Sequence, residues 1–228
     1  MLDAAPPPPA RTTQGGCAST LAFELSDGPH RLVVSCGGAR HAGARLPEQL
    51  ANALRATAAH STLIVGDVNS TAVQLDGSLG RGVVEVAVDR QELEGGSRIE
   101  TSHDGYVRRF GLLHQRQVTL SADGLQLEGE DRLIPTGRNR RAEPLPFTVR
   151  FHLAPGVEVT STADGRGALL RIKGGAVWQF RCRGGQLAID DSLWINEEAR
   201  PLASQQLVVT GETPPEGITI SWHLRRAS

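Results

Sequence analysis

The stretch Ile99–Arg132, IETSHDGYVRRFGLLHQRQVTLSADGLQLEGEDR, constrains the fold more than any other part of the chain. Within it Val118, Leu120, Leu125 and Leu127 alternate with Gln117, Thr119, Gln126 and Glu128. A period of two puts apolar side chains on one face of a strand and polar ones on the other. Asp123-Gly124 lies between the two runs and supplies the positive φ angles of a tight hairpin. No helical period competes, so this segment is sheet.

The same pattern recurs along the chain. TLAFELS (20–26) and RLVVSC (31–36) form a hairpin around Asp27-Gly28, followed by TLIVGD (62–67), TAVQL (71–75), VVEVAVD (83–89) and SRIETS (97–102). The second half continues with FTVRFHL (147–153), VEVTST (157–162), ALLRIK (168–173), VWQFRC (177–182), QLAIDDSLWI (186–195), QLVVTG (206–211) and ITISWHLR (218–225). Asp164-Gly165, Gly174-Gly175 and Gly184-Gly185 mark turns at the spacing of a β-sandwich. One helix interrupts the strands, over Pro47–Ala59: Pro47 suits a first helical position, and Leu50, Ala53, Leu54 and Thr57 share one face. The fold class is all-β: a large antiparallel β-sandwich with one short helix at about 47–59. Residues 1–16 read as an irregular Pro/Gly-rich lead-in and residues 17–228 as the sandwich domain.

Composition narrows the function classes. With 24 basic against 25 acidic residues and a net charge of −1, the chain does not read as a nucleic-acid binder. No apolar run approaches the roughly 18 residues of a bilayer-spanning helix, so no membrane insertion is expected. The opening MLDAAPPPPA has neither the basic start nor the apolar core of a signal peptide. Cys17, Cys36 and Cys182 form no CxxC pair and are too scattered for a disulfide framework, although a Cys17–Cys36 bridge across neighbouring strands is left open.

Four blocks in order, ALRATAAHSTLIV (53–65), SHDGYVRRFGLLHQRQVTLSADG (102–124), GEDRL (129–133) and PFTVRFHLAPGV (146–157), resemble the C-terminal β-domain of bacterial heparinase II/III-like proteins. The likeness runs from about Thr20 to Arg225. It implies a sandwich that follows an N-terminal (α/α) toroid, which this sequence, without a series of paired helices, lacks. It also implies β-elimination of uronate-containing polysaccharides, an acidic polysaccharide as partner, and a periplasmic or cell-envelope setting. The reaction needs a group that neutralises the uronate carboxylate, a base for the C5 proton and an acid for the leaving oxygen. In the family a histidine from the start of the sandwich contributes, within an H-x-H-x-D-A-G-x-F pattern. Here that segment is TQGGCASTL, with Thr13 and Gly15 at the two histidine positions and Cys17 near the acidic one. The isolated chain is therefore expected to be inactive.

Several side chains remain as candidates. His60, in AAHSTL, stands where metal-binding relatives place a ligand; with Cys17 its only nameable neighbour, no metal or other cofactor is expected. As a catalytic candidate it competes with a plain histidine at a helix C-terminus, where its cation is favoured. Tyr106, the single tyrosine, can serve as acid, stack on a sugar or simply anchor the turn at Asp104-Gly105. His103 and Arg132 are candidate substrate-binding residues. His114, Arg116 and Arg132 can form a row on the wet face of one sheet, or the arginines can pair with Glu128, Glu130 or Asp131. Arg138, Arg140 and Arg141 form a basic loop able to meet an acidic glycan. A non-catalytic carbohydrate-contacting or structural sandwich is the alternative function.

Overall fold

The computed structural model describes residues 1–8, 15–37, 46–137 and 143–227. Thr13 and the basic loop at Arg138, Arg140 and Arg141 lie outside the described residues. The strands in chain order are β1 (Leu25–Asp27), β2 (His30–Val34), β3 (Leu63–Val65), β4 (Val86–Leu93), β5 (Gly96–His103), β6 (Leu112–Ser121) and β7 (Gln126–Pro135). There follow β8 (Leu145–Leu153), β9 (Val157–Ser161), β10 (Gly167–Ile172), β11 (Val177–Arg183), β12 (Gln186–Ile195), β13 (Pro201–Thr213) and β14 (Ile218–Arg226). They form two antiparallel sheets, an eight-stranded one ordered β4-β5-β6-β7-β14-β11-β10-β9 and a six-stranded one ordered β1-β2-β8-β13-β12, with β3 also paired to β8.

The period-two pattern explains the layering. Val118, Leu127, Leu133, Phe180, Trp222 and Leu224 of the large sheet face Phe147, Val149, Phe151, Leu207 and Val209 of the small one in a single core. Phe151 meets Phe180 and Trp222 edge-on with centroids 5.0 and 5.1 Å apart, and Phe23 stacks on Trp222 at 5.1 Å. Trp222 lies across β7 opposite Gly129, where any Cβ would fall 2.1 Å from the indole. The β6–β7 hairpin turns at Asp123-Gly124 as its sequence requires, with Gly124 at φ +70°.

Where the structure departs from the sequence reading, local hydrogen bonding decides. The helix is not continuous over 47–59: α1 covers Glu48–Ala53, Ala56 is extended, and Thr57–Ala59 forms one 3-10 turn. Asn69 Oδ1 accepts from the Thr57 amide, and the Thr57 hydroxyl accepts from the Ser70 amide. These bonds replace helical ones and let Leu54 and Ala59 pack with Cys36, Ile195 and Ala199 in a second small core. TAVQL is not a strand; it makes one bridge, Val73 to Leu79, around a turn held by Asp76 and Ser78. In TLAFELS only Leu25 onward is β-strand: Leu21 sits at φ +65° and Phe23 bridges to Leu2. The first strand of VVEVAVD starts at Val86, because Asp104 Oδ1 takes the amides of Val84 and Glu85. SHDGYVRRF adds a short helix, α2 (Val107–Phe110), closed by Gly111 at φ +68°.

Candidate functional site

The sequence left two arrangements open for His114, Arg116 and Arg132, a row on one wet face or pairing of the arginines with nearby acids; the structure separates the three. His114 and Arg116 share the parity of Val118 and point into the core, both fully buried. Arg132 has the opposite parity, faces out, and pairs with Glu130 at 2.5 Å. The alternative pairing that the sequence left open is formed inside instead, between Arg116 and Asp131.

That pair anchors an enclosed polar network. Arg116 donates from Nε and Nη2 to the two oxygens of Asp131 at 2.8 and 2.9 Å, a forked ion pair. Trp222 Nε1 donates to Asp131 Oδ2 at 2.9 Å, and His114 Nε2 meets Oδ1 at 2.7 Å. His103 Nε2 lies 3.1 Å from His114 Nδ1, and the Gly105 amide donates to His103 Nδ1. The last bond orders the protons. With Nδ1 an acceptor, neutral His103 carries its proton on Nε2 and donates to His114, which then donates to Asp131. Burial pushes both histidines below their ordinary pKa, so both rings are neutral. Burial alone would raise Asp131, but the Arg116 charge and the hydrogen bonds from His114 and Arg116 hold it well below the usual carboxylate range.

The network reaches the surface through the other arm of Arg116. Its Nη1 donates to the carbonyls of Leu21 at 2.6 Å and Ser61 at 2.9 Å. Leu21 and Ser61 flank Thr20, Ala22 and His60, which line a groove of about 1530 Å³. Gly15 and Cys17 line it too. So a buried cation fixes one wall of this groove.

The candidates sort by their access to that groove. His60 lines it but is 6 % exposed; burial, and the neighbouring His152, pull its pKa down to about 4, so the expectation of a favoured cation at a helix end is overturned. Leu54 takes a hydrogen bond from the ring, and Nε2 has no partner among the described residues. Tyr106 is buried against His103, with ring centroids 5.4 Å apart, and its hydroxyl donates to the Leu63 carbonyl at 2.9 Å. Burial pushes that phenol far up, and the arrangement is that of an anchor. Tyr106→Phe is expected to lower the unfolding free energy by about 1 kcal/mol, read by urea denaturation, for the loss of one enclosed hydrogen bond. His103 is as buried as its partner His114.

Among the described residues no three His, Cys, Asp or Glu side chains, at His60 or elsewhere, are placed to hold a metal ion. Nor does a disulfide join Cys17 to Cys36. The Cys36 thiol, pushed up by burial, lies 3.4 Å from His152 Nδ1 and 3.9 Å from Ser192 Oγ beneath the second small core. Among the described residues no helix is long and apolar enough to cross a membrane.

Sequence reasoning missed Trp222 and the inward position of Arg116 and His114. The signal was present in the parity they share with Val118.

The comparisons agree with the fold. The model of the heparinase II/III-like, C-terminal family matches residues 1–223. FtsZ-localized protein C of Caulobacter vibrioides (strain NA1000 / CB15N) is 31% identical over 239 residues, a match that covers 100% of this chain and 40% of that protein. Heparan sulfate lyase HepC from Pedobacter heparinus superposes with a TM-score of 0.72 at 13% identity, over 93% of this chain and 31% of that one. A heparinase III gives 0.70 at 13%, over 92% and 30%. The chain thus spans well under half the length of the relatives it matches. It belongs to the heparinase II/III-like C-terminal family.

Proposed function

We propose that this chain is the C-terminal β-sandwich half of a polysaccharide lyase that acts on uronate-containing glycans by β-elimination, and that it is inactive alone. The observation that carries the reading is the groove. It is large enough for several sugar units, and Gly15, Cys17 and His60 line it. In this reading an (α/α) toroid closes the groove and supplies the groups that the sandwich lacks. His60 is the sandwich's nearest contribution, a neutral ring whose enclosed Nε2 has no partner among the described residues. A histidine with a pKa of about 4 accepts a hydrogen bond at neutral pH but is a poor base for a C5 proton. Tyr106 and His103 hold the wall in place, and Arg132 remains a surface cation. Gly15 offers no side chain, and Cys17 offers a thiol in place of an imidazole or carboxylate.

The test is incubation of the purified chain with heparan sulfate, alginate and other uronate polymers, following ultraviolet absorbance of the unsaturated uronate. No absorbance growth is expected, because losing one general acid or base already costs about 10²–10⁴ in rate and several roles are missing. Steady product formation by this chain alone would overturn the reading. A second reading, a non-catalytic module, is favoured by one observation: the relative 31% identical across the whole chain is named for its localisation with FtsZ, not for a lyase activity. In that case, joining the toroid half to the chain would yield no product either.

A further inference from the structure

We infer that Arg31, Trp194 and Lys173 form an anion subsite in the groove, built for the carboxylate or sulfate of an acidic saccharide; the inference rests on the carbohydrate reading above and deepens it. All three residues line the groove, on a stretch of wall that belongs to neither His60 nor the Gly15–Cys17 segment. Arg31 leaves β2 with its side chain exposed, and its guanidinium lies over the Trp194 ring, 5.6 Å from the centroid. A cation on an aromatic face is ordered without being neutralised, which removes part of the entropy a long arginine loses on binding. No carboxylate claims it: among the described residues neither Arg31 nor Lys173 is in an ion pair.

Of the four acids nearby, three are paired or hydrogen-bonded elsewhere, and the fourth, Glu197, lines the groove without an ion pair among the described residues. Asp27, on the same hairpin, pairs with Arg226 and accepts from Trp178 Nε1. Asp3 and Glu24, which also line the groove, accept from the Ser19 hydroxyl and the Ser35 amide. Lys173 enters from the turn after β10, where its own amide bonds the Gly156 carbonyl, so a second cation projects from a fixed backbone. A planar guanidinium fork matches a carboxylate or sulfate with two parallel hydrogen bonds. Trp194 is only partly buried and leaves apolar surface beside that fork. An acidic sugar carries both complements on one ring, a charged group and a patch of C–H bonds.

Tryptophan emission supplies the readout. Trp178 and Trp222 are 1 % and 3 % exposed, so a ligand-induced change reports on Trp194. The full chain is titrated with polyglucuronate oligomers, with heparan sulfate fragments and with a neutral glucan. Binding of the two acidic ligands and not the glucan is expected, weakening as salt is raised. Arg31→Ala is expected to weaken acidic ligands at least tenfold, Arg31→Lys to restore little of that, and Lys173→Ala to cost several-fold. Trp194→Phe should abolish the signal, and calorimetry then reads its affinity. Arg171→Ala, on the outer face of the large sheet, should change nothing. A preference for heparan sulfate over polyglucuronate assigns the subsite to sulfate, and equal binding assigns it to carboxylate; both support it. Acidic ligands bound with undiminished affinity by Arg31→Ala and Lys173→Ala would overturn the subsite and leave the carbohydrate reading standing. Equal binding of the glucan would overturn the anion assignment. If the unaltered chain binds no acidic saccharide, the subsite and the carbohydrate reading fall together.

Discussion

Replacing Asp131 with alanine is expected to cost 3–5 kcal/mol of stability, the largest effect of any single substitution proposed for this chain. The reason is what the change leaves behind. Arg116 has no solvent exposure and would lose its only carboxylate partner among the described residues, while Trp222 Nε1 and His114 Nε2 would lose their acceptor. A lone guanidinium cannot shed its proton to escape the penalty, since arginine stays charged in proteins. For a chain of this size the loss corresponds to a fall in melting temperature of roughly 6–20 °C, insensitive to salt because the pair is not screened by water. A double variant separates pair from charge. Arg116→Met with Asp131→Leu removes both ions and is expected to cost clearly less than the sum of the single changes, as buried pairs replaced by apolar groups often do. Equal additivity in thermal and urea unfolding would mean that the two side chains do not act as a unit.

The same residues show how much of this protein is legible in its sequence. The sandwich, the β1–β2 and β6–β7 hairpins and most of the strands after Phe147 follow from period-two alternation and Asp-Gly or Gly-Gly turns. The alternation also placed Arg116 and His114 on the core side, two and four residues before Val118. Their polarity argued for the wet face, and polarity alone misleads when the countercharge comes from another strand. Asp131 lies fifteen residues away in sequence and directly opposite in register. Nothing local announces that an Arg and an Asp will be enclosed together.

The early end of the helix, at Ala53 rather than Ala59, and the groove were not legible for a related reason. Thr57 gives up helical bonding to Asn69 and Ser70, and Leu21 takes a left-handed conformation while its carbonyl receives Arg116. Both are tertiary substitutes for local structure, invisible to a window of neighbouring residues. His60 was singled out by its place in the chain, and the structure does bring it to the groove wall. Arg31 and Trp194 were not singled out, because a cation–aromatic pair between β2 and β12 has no spacing in sequence to betray it.

Stability is expected to fall steeply as the pH drops below about 6.5, through the four buried histidines His60, His103, His114 and His152. Burial lowers the pKa of each, to about 4 for His60 and His152. In the unfolded chain each would titrate near 6.5. Between those values the unfolded state binds protons that the folded state refuses, so acid favours unfolding. The contribution is fully present above the unfolded pKa and is lost as the pH falls toward the folded one. For His60 and His152 the loss ends near pH 4. Each histidine adds up to about 1.4 kcal/mol per pH unit to the slope, and four together reach roughly 5 kcal/mol per unit, comparable with the whole stability of a typical domain. Asp131 does not offset this. Its lowered pKa gives stability that is present above the ordinary carboxylate value and lost only in stronger acid. Urea unfolding at pH 5, 6, 7 and 8 measures the slope directly. His60→Gln combined with His152→Gln should make it shallower by about half while leaving the curve above pH 7 parallel. A chain equally stable at pH 5 and pH 7 would mean that these rings gain access to water, or to partners, when protonated, and that the core is looser than its packing indicates.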